Sequence, residues 1–138
     1  MRTREGRRAS AQRSCTGSAY SDRAQALAWR TVRTRREGRL LYPTPHGERS
    51  LIVGFRASSS GLTLHLPSFV EAVNYLDGQP VAVEVAQPGE KPACVRGTAE
   101  LVADDTVTAA EARQLEQWPP GIVSHFVKIR VPGVADDS

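Results

Sequence analysis

Residues 61–102 read GLTLHLPSFVEAVNYLDGQPVAVEVAQPGEKPACVRGTAELV, and the fold turns on how that run divides. Leu62-Thr63-Leu64-His65-Leu66 alternates at period two, which puts the leucines on one face of a strand and Thr63 and His65 on the other. Phe69, Ala72, Val73 and Leu76 then follow the i, i+3, i+4, i+7 spacing of a short helix, with Pro67 at its start. Asp77-Gly78-Gln79-Pro80 breaks it. Residues 81–86 alternate again, Gln87-Pro88-Gly89 opens a turn, and residues 94–102 form a long strand in which Gly97 marks a bulge or a close backbone approach.

Working outward, the same texture continues on both sides. Upstream, residues 39–42 and 50–57 read as strands, separated by Pro43-Thr44-Pro45-His46-Gly47 and closed by Ser58-Ser59-Ser60-Gly61. Downstream, Thr108 caps a helix over residues 109–118 with Glu111 completing a capping box, Pro119-Pro120 ends it, and residues 124–131 form the last strand. A further helix precedes the strands, capped by Ser21 or Asp22, with Leu27, Trp29 and Val32 as its apolar stripe and Gly38 as its C′ residue. The expectation is mainly β with short helices: six antiparallel strands in a closed or nearly closed barrel, with no βαβ rhythm. A barrel this small leaves much of its surface exposed, so a dimer that shares apolar area is expected.

The charge is unevenly divided. Residues 1–39 carry eleven of the sixteen arginines and a net charge of +8, whereas residues 40–138 carry −5. Residues 1–20 are rich in Arg, Ser and Gly and cannot bury enough surface to offset the entropy of ordering them, so they are expected to be a disordered leader before a single domain over residues 21–138. Such a leader is either an arm for nucleic-acid phosphates or anionic lipid, or an unstructured tail. With no aromatic side chains among Arg2 to Arg13 to stack on bases, the tail is the preferred reading and nucleic acid is not an expected partner. The helix after it, with Arg30, Arg33, Arg35 and Arg36 towards its end, is either a basic amphipathic helix for RNA or membrane, or one that docks on the barrel and leaves its arginines solvated. No run is long and apolar enough to cross a bilayer as a helix, and no signal-peptide core follows the charges. Two cysteines, Cys15 and Cys94, are too few for a disulfide scaffold or a four-ligand zinc site, and a reducing, cytoplasmic compartment is expected.

The order of the pieces resembles the pyridoxamine 5′-phosphate oxidase-like, FMN-binding split-barrel family. The resemblance is carried by Leu64-His65-Leu66, Val73-Asn74-Tyr75-Leu76, Gln79-Pro80-Val81-Ala82-Val83 and Arg96-Gly97-Thr98-Ala99-Glu100-Leu101, with the Gly47-Glu48-Arg49-Ser50 turn and the Phe126-Val127-Lys128-Ile129 strand in matching places. It implies a six-stranded split barrel, a homodimer, and FMN or the deazaflavin F420 held between the subunits. It also implies a phosphate-binding Ser-Arg-Lys run after the third strand. Counting back from Leu76, this chain has Val70, Glu71 and Ala72 there, and Leu66 at the family's Thr. A carboxylate in place of a cation changes the interaction with a phosphate by several kcal/mol for charges about 4 Å apart at an effective dielectric near 20.

Three readings follow. A flavin or deazaflavin binds through another cation, such as Arg49 or Arg56, and the protein is an oxidoreductase for a small organic substrate; or the flavin is lost and the scaffold performs cofactor-free chemistry or binds another small molecule; or the barrel is a binding module without chemistry. The resemblance implies that Arg49, Ser50, Leu51, Ile52 and Val53, with His65, Leu66, Pro67 and Ser68, line the pocket. His65 is a candidate proton donor or acceptor, since an imidazole titrates near neutrality. Glu71 is a candidate general base. His46, His65 and His125 fall on separate elements, so no metal site is expected. Cys94 reads as a small buried apolar residue, and Trp118 as packing at a helix end or walling a pocket.

Overall fold

The computed structural model describes residues 22–133, so the expected leader and the last residues of the chain lie outside the described residues. Helix α1 (Asp22–Val32) is followed by strands β1 (Glu37–Thr44), β2 (Gly47–Gly54), β3 (Arg56–Ala57) and β4 (Gly61–Pro67), helix α2 (Val73–Leu76), and strands β5 (Pro80–Val85) and β6 (Ala93–Val102). A 3₁₀ turn (Asp104–Thr106), helix α3 (Ala109–Gln114) and strand β7 (Ser124–Arg130) complete it. The strands form one curled antiparallel sheet in the order β2-β1-β5-β6-β7-β4-β3.

Seven strands are present where six were expected, because the apolar run over residues 50–57 changes partner halfway. Up to Gly54 it pairs with β1, Gly54 lying opposite Glu37. The Phe55 N–H then bonds to the Arg36 carbonyl, Phe55 drops into the core, and Arg56 and Ala57 pair with Thr63 and Leu62 of β4. One continuous stretch of sequence thus bridges the two ends of the sheet and curls it into a split barrel. Alternation fills the interior with Leu40, Val53, Leu62, Leu64, Val81, Val83, Val95, Val127 and Ile129.

Helix α1 closes one side. Asp22 suits the positive end of its dipole and Arg30 the negative end. Trp29 and Val32 are buried on the barrel, but Leu27, expected in the same stripe, is 54% exposed, and Gln25 takes its place. The reason is local: β6 runs on past the end of β7, whose ladder stops at Thr98 opposite Arg130. The Gln25 amide closes the open backbone there, donating to the Arg96 carbonyl at 2.7 Å and accepting from the Arg96 N–H at 3.1 Å. Burial of an amide is tolerated because both of its ends are satisfied.

Four further expectations are corrected. Gly38 is not a helix C′ residue but lies within β1, where a Cβ would stand 2.8 Å from the Glu84 carbonyl oxygen. The helix before β5 spans only Val73–Leu76, because Ser68 to Ala72 turn instead, leaving Phe69 72% exposed. Helix α3 stops at Gln114, so Trp118 lies beyond it. Cys94 is buried beside Leu41 and Ala82 as expected, but it is disulfide-bonded rather than a reduced thiol; Cys15 lies outside the described residues. Gly97 answers to close approach: a Cβ on it would collide with the Arg130 carbonyl of β7.

Candidate functional site

A groove of about 600 Å³ lies on the outward face of β1, β5 and β6. Its walls come from Leu41, Pro43, Pro80, Ala82 and Pro132, with Thr44 and Thr98 as hydroxyl donors or acceptors. The volume falls within the range of about 300–1,000 Å³ of small-molecule sites, and so does the mostly apolar lining with few polar groups. Strand alternation explains the lining. In β6, Val95 and Ala99 enter the core, so Arg96 and Thr98 face outward, and Ala82 stands opposite Arg96 in the β5–β6 register. Arg96 is the one cation among the groove's lining residues and Glu48 the one carboxylate.

The second cluster shares a wall with the groove. Tyr42 lies opposite Arg49 in the β1–β2 hairpin, so their side chains share one face. The Tyr42 hydroxyl donates to Glu71 Oε1 at 3.3 Å, and Arg49 Nε stands 4.0 Å from the same oxygen. Tyr42 is buried, and that burial, reinforced by the negative charge of Glu71 and by the hydrogen bond to it, raises its phenol pKa above 10.0 while Arg49 opposes the shift. The Arg49–Glu71 pair is about half exposed, so it contributes only about 0–1 kcal/mol to stability. Its chemical consequence is larger: the cation nearest Glu71 is already facing a carboxylate.

The third cluster holds His65. The Glu116 carbonyl lies 2.7 Å from Nδ1, which must therefore carry the proton, and Ser124 Oγ lies 2.7 Å from Nε2. Phe126, the cross-strand partner of His65, stacks on the ring at 4.3 Å and 14°. The indole of Trp118 donates to the His65 carbonyl at 3.1 Å. Both ring nitrogens are engaged, and the imidazole clamps the segment between α3 and β7 against β4.

These clusters redistribute the candidate residues. Glu71 and Arg49 are together, but His65 belongs to a separate cluster, with no hydrogen bond or ion pair to either. Ser50 and Ile52 face solvent, Leu51 is half-buried and Val53 lies in the core. Leu66 and Pro67 are buried, and the exposed Ser68 donates its N–H to the Val123 carbonyl. None of these ten lines the groove; it is built from their neighbours Tyr42 to Thr44 and Glu48, and from Arg96 and Thr98. The available signal for the last two was the alternation around Gly97, which sends residues 96 and 98 to the face opposite the core. Trp118 meets Phe69 edge to face at 6.5 Å, away from the groove. Among the described residues no three His, Cys, Asp or Glu side chains gather as a metal site would need, and no helix is long and apolar enough to cross a membrane.

No family model and no curated protein matches the chain. Solved structures do. An FAD binding protein from Mycobacterium smegmatis superimposes with a TM-score of 0.64 at 17% identity, over 78% of this chain and 88% of the other. A putative pyridoxamine 5′-phosphate oxidase from Corynebacterium glutamicum gives 0.58 at 20% identity, over 78% and 83%. An F420 reductase gives 0.54 at 20% identity, over 70% and 86%. The fold is therefore the pyridoxamine 5′-phosphate oxidase-like split barrel, as the order of sequence motifs implied.

Proposed function

We propose that this split barrel binds a flavin, FMN, or the deazaflavin F420, and acts as an oxidoreductase on a small organic substrate. The observation that carries the reading is the groove beside Tyr42, on a fold shared with proteins described as an FAD binding protein and an F420 reductase. The residues present suit the two halves of such a cofactor. Leu41, Pro43, Pro80 and Ala82 offer flat apolar walls to a ring system. Arg96 offers a guanidinium, whose forked donors match phosphate oxygens. When bound, the ring supplies hydride transfer. The chain's own work is placement: the apolar walls exclude water and Arg96 anchors the anionic end.

A homodimer belongs to the same proposal. The groove opens to solvent on one chain, and Ile52, Phe69 and Val123 are large apolar side chains left 61%, 72% and 64% exposed. A second copy that covers such surface would bury apolar area that a barrel this small leaves exposed.

One observation favours a second reading, in which the scaffold has lost the flavin and works without a cofactor or binds another small molecule. Glu71 and Ala72 stand where the resembling family carries its phosphate-binding cations, and Arg49 is already directed at Glu71. Absorbance spectra of the purified protein, followed by titration with FMN, FAD and F420, separate the two. The flavin reading expects saturable quenching of the added cofactor, weakened about tenfold or more by Arg96→Gln. A colourless protein that ignores all three leaves the second reading standing.

A further inference from the structure

We propose that the outward face of α1 and the turn after it docks the phosphate backbone of double-stranded nucleic acid. This is independent of the flavin reading, since the groove's walls come from β1, β2, β5, β6 and Pro132. Helix α1 has spent its inward side on the barrel: Gln25, Trp29 and Val32 are buried, and Gln25 is tied to β6 at both ends of its amide. Arg35 is also spent, its guanidinium donating to the Ala86 carbonyl at 3.0 Å. What remains outward is Arg23, Arg30, Arg33 and Arg36, all exposed.

None of these four arginines is in an ion pair with a described residue, although the rest of the chain is acidic. Their nearest carboxylates in sequence are Asp22 and Glu37, one at each end of the patch. Arg23 and Arg30 lie seven residues apart and so share a helix face, and the Arg33 N–H continues that helix by bonding to the Trp29 carbonyl. Arg23 to Arg33 spans about 15 Å of helix axis at 1.5 Å per residue. That length covers roughly four base steps of a duplex at 3.4 Å each.

The chemistry of the patch selects among polyanions. The first 39 residues contain eleven arginines and no lysine, and the planar guanidinium is the group that takes phosphate oxygens in pairs. A lipid surface demands a second, apolar stripe that enters the acyl region, and among the described residues of this face the only large apolar side chain is Leu27. The lack of interleaved aromatics argues against base stacking, not against backbone contacts, which need cations alone. Binding of this kind is insensitive to base sequence and steeply sensitive to salt.

The test uses the full chain and a fluorescein-labelled duplex of random sequence, followed by anisotropy at several salt concentrations. A variant carrying Arg23→Gln, Arg30→Gln, Arg33→Gln and Arg36→Gln removes up to four phosphate contacts. The slope of log affinity against log salt should then become shallower by about 3 to 4, at about 0.9 per contact. Between 50 and 200 mM salt the wild type should lose on the order of 100-fold more affinity than the variant. Single Arg30→Gln and the fourfold Arg→Lys variant guard against misfolding: the first should lower the slope by about 0.9 and the second should leave it near wild type. A slope changed by less than one unit in the fourfold Gln variant overturns the proposal. So does binding to phosphatidylserine vesicles without binding to the duplex.

Discussion

Tyr42 borders the groove as a residue of β1, while its side chain packs with the core and its hydroxyl meets Glu71. The expected consequence is measurable. Burial and then the Glu71 charge keep the phenol protonated above its ordinary range, so an ultraviolet titration should show one of the three tyrosines ionising late. Glu71→Gln should move that transition down towards 10.0 without reaching it, because burial, the larger cause, remains. The sign for stability follows from linkage. A folded-state pKa above the unfolded value contributes stability below the unfolded pKa and loses it as pH rises through the folded one, so Tyr42 should make the protein less stable only at alkaline pH, from about 10 upward. At this scale the sequence singled out Glu71 and Arg49 but passed over Tyr42. Their meeting depends on a hairpin register that pairs residues 42 and 49 and on the turn before α2, which carries Glu71.

Helix α3 shows an element written almost wholly into local sequence. Thr108 accepts from the Glu111 N–H at 3.1 Å, and Glu111 accepts from the Thr108 N–H at 3.3 Å, the reciprocal pair expected from Thr and Glu three apart. Thr108→Ala should cost about 1 kcal/mol by urea denaturation and should speed amide exchange over residues 109–115, with Gly a milder replacement than Ala. The clamp on His65 is the opposite case. The alternation of residues 62–66 put His65 on the outward face, yet its partners are the Glu116 carbonyl and Ser124, 51 and 59 residues away. No period in a strand announces that the segment after a helix will fold back over it. The split of residues 50–57 has the same origin: each half is a good strand, and only pairing decides that β1 holds one and β4 the other.

The molecule as a whole is a small sheet curled around one apolar interior, with α1 on one flank and α3 over another. Leu64 is fully buried at the heart of β4. Leu64→Ala should therefore cost about 2–5 kcal/mol in chemical denaturation, lowering the midpoint with little change in slope. Such a loss is a large share of the stability ordinary for a domain of this size.

By itself, the chain's order of residues determined the period-two strands, the turn residues between them, the cap of α3 and the split of charge between the arginine-rich start and the acidic body. Those are local matters, decided by side-chain alternation, backbone preference and composition within a few positions. Only the folded whole decided which strand borders which, that Gln25 rather than Leu27 faces the barrel, and that Arg96 and Thr98 share a groove with Pro43. These depend on backbone groups left open at a sheet edge and on side chains far apart in sequence arriving at one face.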